Sequence, residues 1–381
     1  MQGAVREMTG KQNAGRNANL ERLRLLSMLM IVCYHYSIWG FFDEELAFSP
    51  NKIFVDLFGM CGWIGILLFV VISGYFMAEG RFTLKKLLTL MGTIWFYTLG
   101  SLAVFLIFDR ERVSAPIVLN AFFPLLRQQY WFMSYYVALM LCSLFLNRLL
   151  HLLDRRQHAL LCLLAVFLCI GIPGVSNGLA GSTMAAFVTM YLCAAYVRLR
   201  MAKDAQTGRR CLLLALLVIL LCALLVAGRD AVWQRSGNID GLLNSKRFLW
   251  RLNSPPTMLA AILLLCGFAC RPKRCGGFVS RLGALTVGVY LFQSNDLVSL
   301  ALWQDILHTR AFTDSPLLPL HAVGSVLLVF AVGLVIEALR RRFAAPLWAR
   351  LIDRVCPPLE NALNRLWDAV FALGRKLLRD E

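Results

Sequence analysis

The sequence predicts an all-α, polytopic membrane helical bundle of about ten transmembrane helices, followed by an amphipathic C-terminal tail. Three observations predict it. Of 381 residues, 59% are hydrophobic and only 16% are charged, against about half and about a quarter in an average soluble chain. The apolar residues gather into runs near the roughly 20 residues needed to cross a bilayer. The Lys and Arg behind the formal net charge of +17 fall mainly in the short breaks between those runs, where they set topology. In a soluble chain such a charge would point to nucleic acid. No basic motif interleaved with aromatics is present here, so nucleic acid is not expected as a partner.

The elements follow in order. A basic N-terminal segment, residues 1–18, leads into a first run near 20–40 without a convincing cleavage site, which reads as a retained span. Further runs lie near 58–78, 86–108, 130–150, 158–173, 182–198, 211–228, 257–270, 282–303 and 318–339. The eighth is short and starts after Pro255-Pro256, which suit the first turn of a helix. Residues 19–343 thus form the membrane domain. In the tail, 344–381, Leu347, Leu351, Leu359, Leu363, Leu366, Trp367, Val370 and Leu377 recur at helical spacing with Arg350, Arg354, Arg365, Arg375 and Lys376 between them. Such a helix lies on a headgroup surface, and Pro357-Pro358 is expected to break it in two.

One set of breaks is strongly basic: "GRFTLKK", "DRR", "RLRMAKDAQTGRR", "RPKRCGGFVSR" and the "RRR" at 340–342. The opposite set holds "DEE", "GIPGVSNGLAGS" and "DILHTRAFTD". Basic breaks stay inside, so both termini are expected in the cytoplasm and the chain in the plasma membrane. The long external segment 229–256 is an exception, carrying Arg229, Arg235, Lys246, Arg247 and Arg251. It reads either as a loop that tolerates charge or as a face for anionic glycans or lipid phosphates. The 12 cysteines include no CxxC and mostly sit inside apolar runs, where a free thiol behaves as a small hydrophobe. Neither disulfides nor a metal site is expected.

The chemistry candidates begin with "ERLRLLSMLMIVCYHYSIWG" (21–40). Charge inside a membrane helix is costly, about 2.5–3.5 kcal/mol for Arg at the centre on insertion scales. From Arg24 to His35 the rotation is about 20° past three full turns and the rise is about 16 Å. Both therefore lie on one face, with Glu21 nearly on it. This stripe presents an acid and a guanidinium at the helix entry and an imidazole near mid-membrane. The bland alternative is that Glu21 and Arg24 merely flank the bilayer and His35 bonds a neighbouring helix.

The segment "NLERLRLLSMLMIVCYH" resembles the opening of the acyltransferase family 3 integral membrane proteins, which carry an acidic residue, an Arg, ten residues and a His. "LFVVISGYFM" (68–77), "FFPLLRQQYWFMSYYVALMLCSLFLN" (122–147), "LNSPPTMLAAILLLCGF" and "LTVGVYLFQSNDLVSLALWQDIL" (285–307) resemble further stretches in the family's order, over about residues 19–342. The resemblance implies an O-acyltransferase that takes an acyl group, usually acetyl, from cytoplasmic acyl-CoA. The acceptor would be a sugar of an exported or cell-surface polysaccharide, of the bacterial exopolysaccharide and cell-wall kind, or a lipid-linked glycan. Acyl-CoA is then a donor substrate and no cofactor is permanently bound; membrane lipids surround the protein. By this resemblance His35 is the general base or a transient acyl carrier, with Glu21 in the catalytic group, and Arg24 meets the CoA phosphates.

The chemistry suits those roles. A sugar hydroxyl attacks well only as a base removes its proton, imidazole titrates near neutrality, and an Arg fork grips phosphate oxygens in two places. Lys85 and Lys86 can set orientation or assist with the phosphates. Ser73 reads as a helix-packing position or an oxyanion donor. Tyr75, Tyr130 and Trp131 read as interfacial aromatics or as substrate contacts, the last two as a sugar platform. Asn253 and Ser254 read as helix caps, and Asn253 also as a substrate contact. One departure stands out: Gln293 occupies a position where the family often has His, and Gln cannot act as a base. The alternatives are a transporter or flippase of a glycan precursor, or a catalytically inactive relative.

Overall fold

The computed structural model describes residues 17–40, 49–80, 82–172, 182–236, 252–272 and 277–377. All elements among the described residues are helical: α1 Ala18–Trp39, α2 Pro50–Met60, α3 Gly62–Met77, α4 Leu84–Phe108, α5 Ala115–Phe122, α6 Trp131–Leu152, α7 Arg155–Val166, α8 Thr183–Leu199, α9 Ala205–Ser236, α10 Pro255–Ala269, α11 Gly277–Gln293, α12 Asp296–Leu300 and α13 Leu318–Leu377. Local sequence fixes many of the starts, because a side-chain oxygen satisfies an otherwise orphaned N–H in the first turn. Ser49 Oγ accepts from Lys52 N at 3.2 Å, with Pro50 next. Asp154 and Gln157 exchange bonds of 2.8 and 2.9 Å across a capping box. Ser254 caps α10 ahead of Pro255 and Pro256, as expected, while Asn253 takes no part in the cap.

Each of the ten apolar runs falls on a helix or on two adjacent ones. By length and composition, however, five stretches among the described residues qualify to cross a membrane: Pro50–Met77, Leu84–Phe108, Trp131–Leu152, Ala205–Arg229 and Leu318–Arg365. A sixth counts if α11 and the stretch Asp296–Ile306, bent by 79° at their junction, form one span. The expected count of about ten is not reached on these terms. The 17 residues of α8 and 15 of α10 rise about 26 and 22 Å, short of the roughly 30 Å hydrocarbon core. They are apolar because other helices bury them. α1 has the length, at 22 residues, but Glu21, Arg22 and Arg24 dilute its apolarity.

α1 lies at the centre, packed against α2, α3, α10, α11 and α13. α3 is buried on all sides, from Gly62 to Tyr75, and Ser27 Oγ of α1 donates to Gly65 O at 2.7 Å. α11 runs beside α1 in the same direction, and α13 packs antiparallel on α11. α9 is peripheral and turns Leu213, Leu217, Leu220 and Leu224 outward, as a lipid-facing helix does. Arg229 and Arg235, assigned above to a loop, lie on α9, and Arg229 bonds Asp56 at 3.1 Å. The remaining basic residues Lys246, Arg247 and Arg251 lie outside the described residues.

The tail departs from expectation. α13 continues from the last apolar run through Pro346, Pro357 and Pro358 to Leu377 as one helix, with no break at Pro357-Pro358 and no boundary at 343–344. Proline removes an internal hydrogen bond and crowds the preceding turn, yet the helix is continuous, and between Pro346 and Pro357 it is held to α4. Trp348 Nε1 donates to Leu88 O at 3.0 Å and Lys85 pairs with Asp353 at 2.6 Å.

Candidate functional site

The face of α1 that carries Met28, Ile31 and His35 lines a cavity of about 300 Å3, closed by Trp39, Trp63 and Phe69, Trp131 and Phe132, and Tyr290. Its walls thus come from α1, α3, α6 and α11. His35 is the titratable nitrogen base among the lining residues. Its ring stacks on Trp39 at 4.2 Å between centroids and 28° between planes, and Tyr290 lies 6.5 Å away. The side chain is 7% exposed, and Nδ1 is buried and makes no hydrogen bond among the described residues. Gln293, one turn beyond Tyr290, is fully buried beside the imidazole. Among the described residues, neither of its amide atoms makes a well-formed hydrogen bond, nor does the Ser294 hydroxyl.

Along α1, His35 sits four residues before the end at Trp39, closer to that end than to the middle, where the sequence reading put it. The other end holds the charged pair. Arg24 Nη1 donates to both Glu21 carboxylate oxygens, at 3.1 and 3.0 Å. Glu21 is fully buried and presses on α11 at Gly283, where a Cβ would stand 2.3 Å from Glu21 Oε2. Only glycine allows that approach. The Arg24 guanidinium lies 5.7 Å from the Phe76 ring. Glu21 is therefore about 21 Å along the axis from His35 and touches Arg24 instead. It positions the guanidinium; it does not join the imidazole. The cavity reaches Met28, one turn beyond Arg24, and Arg24 itself is not part of its wall.

The remaining sequence candidates scatter. Trp131 lines the cavity. Tyr130 is fully buried behind it; its hydroxyl donates to Leu291 O at 2.9 Å and accepts from Asn295 Nδ2 at 3.1 Å. Those bonds tie α6 to the bend between α11 and α12. Ser73 is buried in α3 outside the cavity wall, and a Cβ on the neighbouring Gly74 would stand 3.2 Å from Ala194 and Tyr191, a helix-packing environment. Tyr75 lies at the far end of α3, its hydroxyl accepting from Arg198 Nη1 at 3.2 Å, with Lys203 5.3 Å above its ring. Lys85 is engaged by Asp353 on α13, and α4, which carries it and Lys86, packs on α13, α5, α11 and α12. Asn253 Oδ1 is buried without a partner among the described residues, away from the cavity wall.

A cluster that the sequence reading passed over lies across α11 from the Glu21–Arg24 pair. Glu337 of α13 is buried and accepts from Tyr97 at 2.9 Å, from Arg340 at 2.7 Å twice and from Arg341 at 2.8 Å. Arg341 also donates to Ala284 O, next to Gly283. The signal was present: an acid inside "LVFAVGLVIEALRRR" is as costly in an apolar run as the arginine of α1. Gln293 had been noted only as a departure; its burial against His35 required the packing of α11 on α1.

No curated protein and no solved structure matches this chain. The family model for the acyltransferase domain of acyltransferase family 3 matches residues 17–338, a stretch that takes in α1, the whole cavity and Glu337. An all-helical chain with apolar, membrane-capable helices and a match over most of its length leads to one conclusion: the chain belongs to acyltransferase family 3.

Proposed function

We propose that this chain is an integral membrane O-acyltransferase of the plasma membrane, with both termini cytoplasmic. It takes an acyl group, most simply acetyl, from cytoplasmic acyl-CoA. It passes that group to a hydroxyl of a sugar in an exported or cell-surface polysaccharide or its lipid-linked precursor. The supporting observation is the buried imidazole of His35 inside an aromatic cavity, on the same stripe of α1 that begins with Arg24. In this reading Arg24, held by Glu21, meets the CoA phosphates at the inner mouth, with Lys85 and Lys86 as lesser contributors. The pantetheine arm follows the stripe towards the cavity. His35 removes the proton of the sugar hydroxyl as its oxygen attacks the thioester carbonyl. The C–S bond then breaks and the CoA thiolate takes the proton back from the imidazolium, leaving the ester and free CoA. Trp131, Trp63 and Trp39 offer flat apolar faces to a sugar ring.

The test feeds labelled acetyl-CoA to membranes carrying the wild type or His35→Ala and counts label in surface polysaccharide. A general base contributes about 10²–10⁴-fold, so incorporation is expected to fall to background. Equal incorporation by the variant would remove His35 from the chemistry and favour a transport role.

A further inference from the structure

We propose that Gln293 is the positioning residue for His35: its amide oxygen accepts from Nδ1–H and so leaves Nε2 unprotonated as the working nitrogen. This rests on the acyltransferase reading of His35 and goes beyond it by assigning the tautomer and the group that fixes it. The argument starts from unsatisfied atoms. His35 Nδ1, both amide atoms of Gln293 and the Ser294 hydroxyl are buried and make no well-formed hydrogen bond, although more than nine in ten buried polar groups in proteins have a partner. They belong to two elements in contact, α1 and the end of α11, and Gln293 is the polar side chain beside the imidazole. Trp39, Tyr34 and Tyr290 also present their rings to the imidazole.

The tautomer of a histidine is set by the hydrogen bond its second nitrogen makes. Gln offers both a carbonyl acceptor and an amide donor, and with no charge of its own it can orient the imidazole without a second ion in the buried site. Gln293 lies where α11 ends and the chain bends by 79° into the next helix. Tyr130, bonded to Leu291 O and Asn295, pins that bend, so the amide is carried on a fixed corner rather than on a free loop.

The experiment has two arms. In the first, the nitrogen-15 spectrum of histidine-labelled wild type, assigned by difference from His35→Ala, is expected to show His35 protonated at Nδ1 and unprotonated at Nε2; the opposite tautomer would overturn the proposal. In the second, Gln293→Met keeps the volume and removes the acceptor, while Gln293→Glu keeps an acceptor. For the Met variant kcat is expected to fall about tenfold, the worth of one hydrogen bond to the reacting group, with the donor KM unchanged and the tautomer no longer uniform; Gln293→Glu is expected to recover the wild-type tautomer. Wild-type kcat in the Met variant, or a loss that Gln293→Glu fails to restore in the spectrum, would overturn it. If His35→Ala itself retains full transfer, the enzymatic reading fails independently of Gln293.

Discussion

Gly283→Ala is a substitution far from the cavity that should nevertheless impair donor use. The new Cβ would stand 2.3 Å from Glu21 Oε2 and 3.1 Å from Glu21 Cβ, against the roughly 3.5–4.0 Å of ordinary contact. The carboxylate is fully buried and has to shift, and its paired bonds of 3.0 and 3.1 Å to Arg24 Nη1 shift with it. Overpacking of this kind costs about 1–3 kcal/mol, while replacing glycine inside a helix returns about 1 kcal/mol, so the net loss of stability is about 0–2 kcal/mol. The larger effect falls on function. A hydrogen bond to a charged group is worth about 1.5–3 kcal/mol, so under the proposed contact of Arg24 with the CoA phosphates its displacement is expected to raise the donor KM roughly 10–100-fold, with kcat little changed. The assay is initial-rate kinetics with acetyl-CoA as varied substrate, on protein reconstituted into lipid. Gly324→Ala is the control, since a Cβ there meets nothing within 4 Å. A donor KM for Gly283→Ala equal to that of the control would refute the chain of contacts from α11 through Glu21 to Arg24.

Two further substitutions test the scaffold around that site. At Gly92 a Cβ would fall 1.8 Å from Trp348 Nε1, so Gly92→Ala is expected to break the Trp348–Leu88 bond and loosen the lower part of α13 from α4. Faster limited proteolysis beyond Phe343, with acyl transfer retained, is the expected readout. Glu337→Gln keeps the shape but removes the carboxylate shared by Arg340 and Arg341. Arg340 is 9% exposed, so the loss is expected to approach the roughly 3–5 kcal/mol of a broken buried pair, seen as a lowered midpoint of thermal unfolding in detergent.

The site reads as two polar ends joined by one apolar helix face. Glu21–Arg24 and Glu337–Arg340 are both i,i+3 pairs, and both press on α11, at Gly283 and Gly288 respectively. Burial of a carboxylate is tolerated in each case because a guanidinium neutralises it and a glycine makes room. The two pairs hold α11 at Gly283 and again at Gly288, two residues before Tyr290, and the helix ends with Gln293 beside the imidazole. A shift of α11 along its axis would therefore reach both ends of the site together.

Composition and periodicity determined the class: long apolar runs with basic breaks have few stable forms other than a helical membrane bundle. The shared face of Glu21, Arg24 and His35 was also legible, because helical spacing fixes which residues align on one helix whatever surrounds it. The number of spans was not, since a run buried by protein, as in α8 and α10, has the same composition as a run facing lipid. Nor could the chain announce that α13 would run unbroken through Pro357-Pro358, or that Gln293 ends beside the imidazole. The placement of Gln293 depends on the packing of α11 on α1, elements far apart in the sequence, and such contacts exist only once the helices have packed.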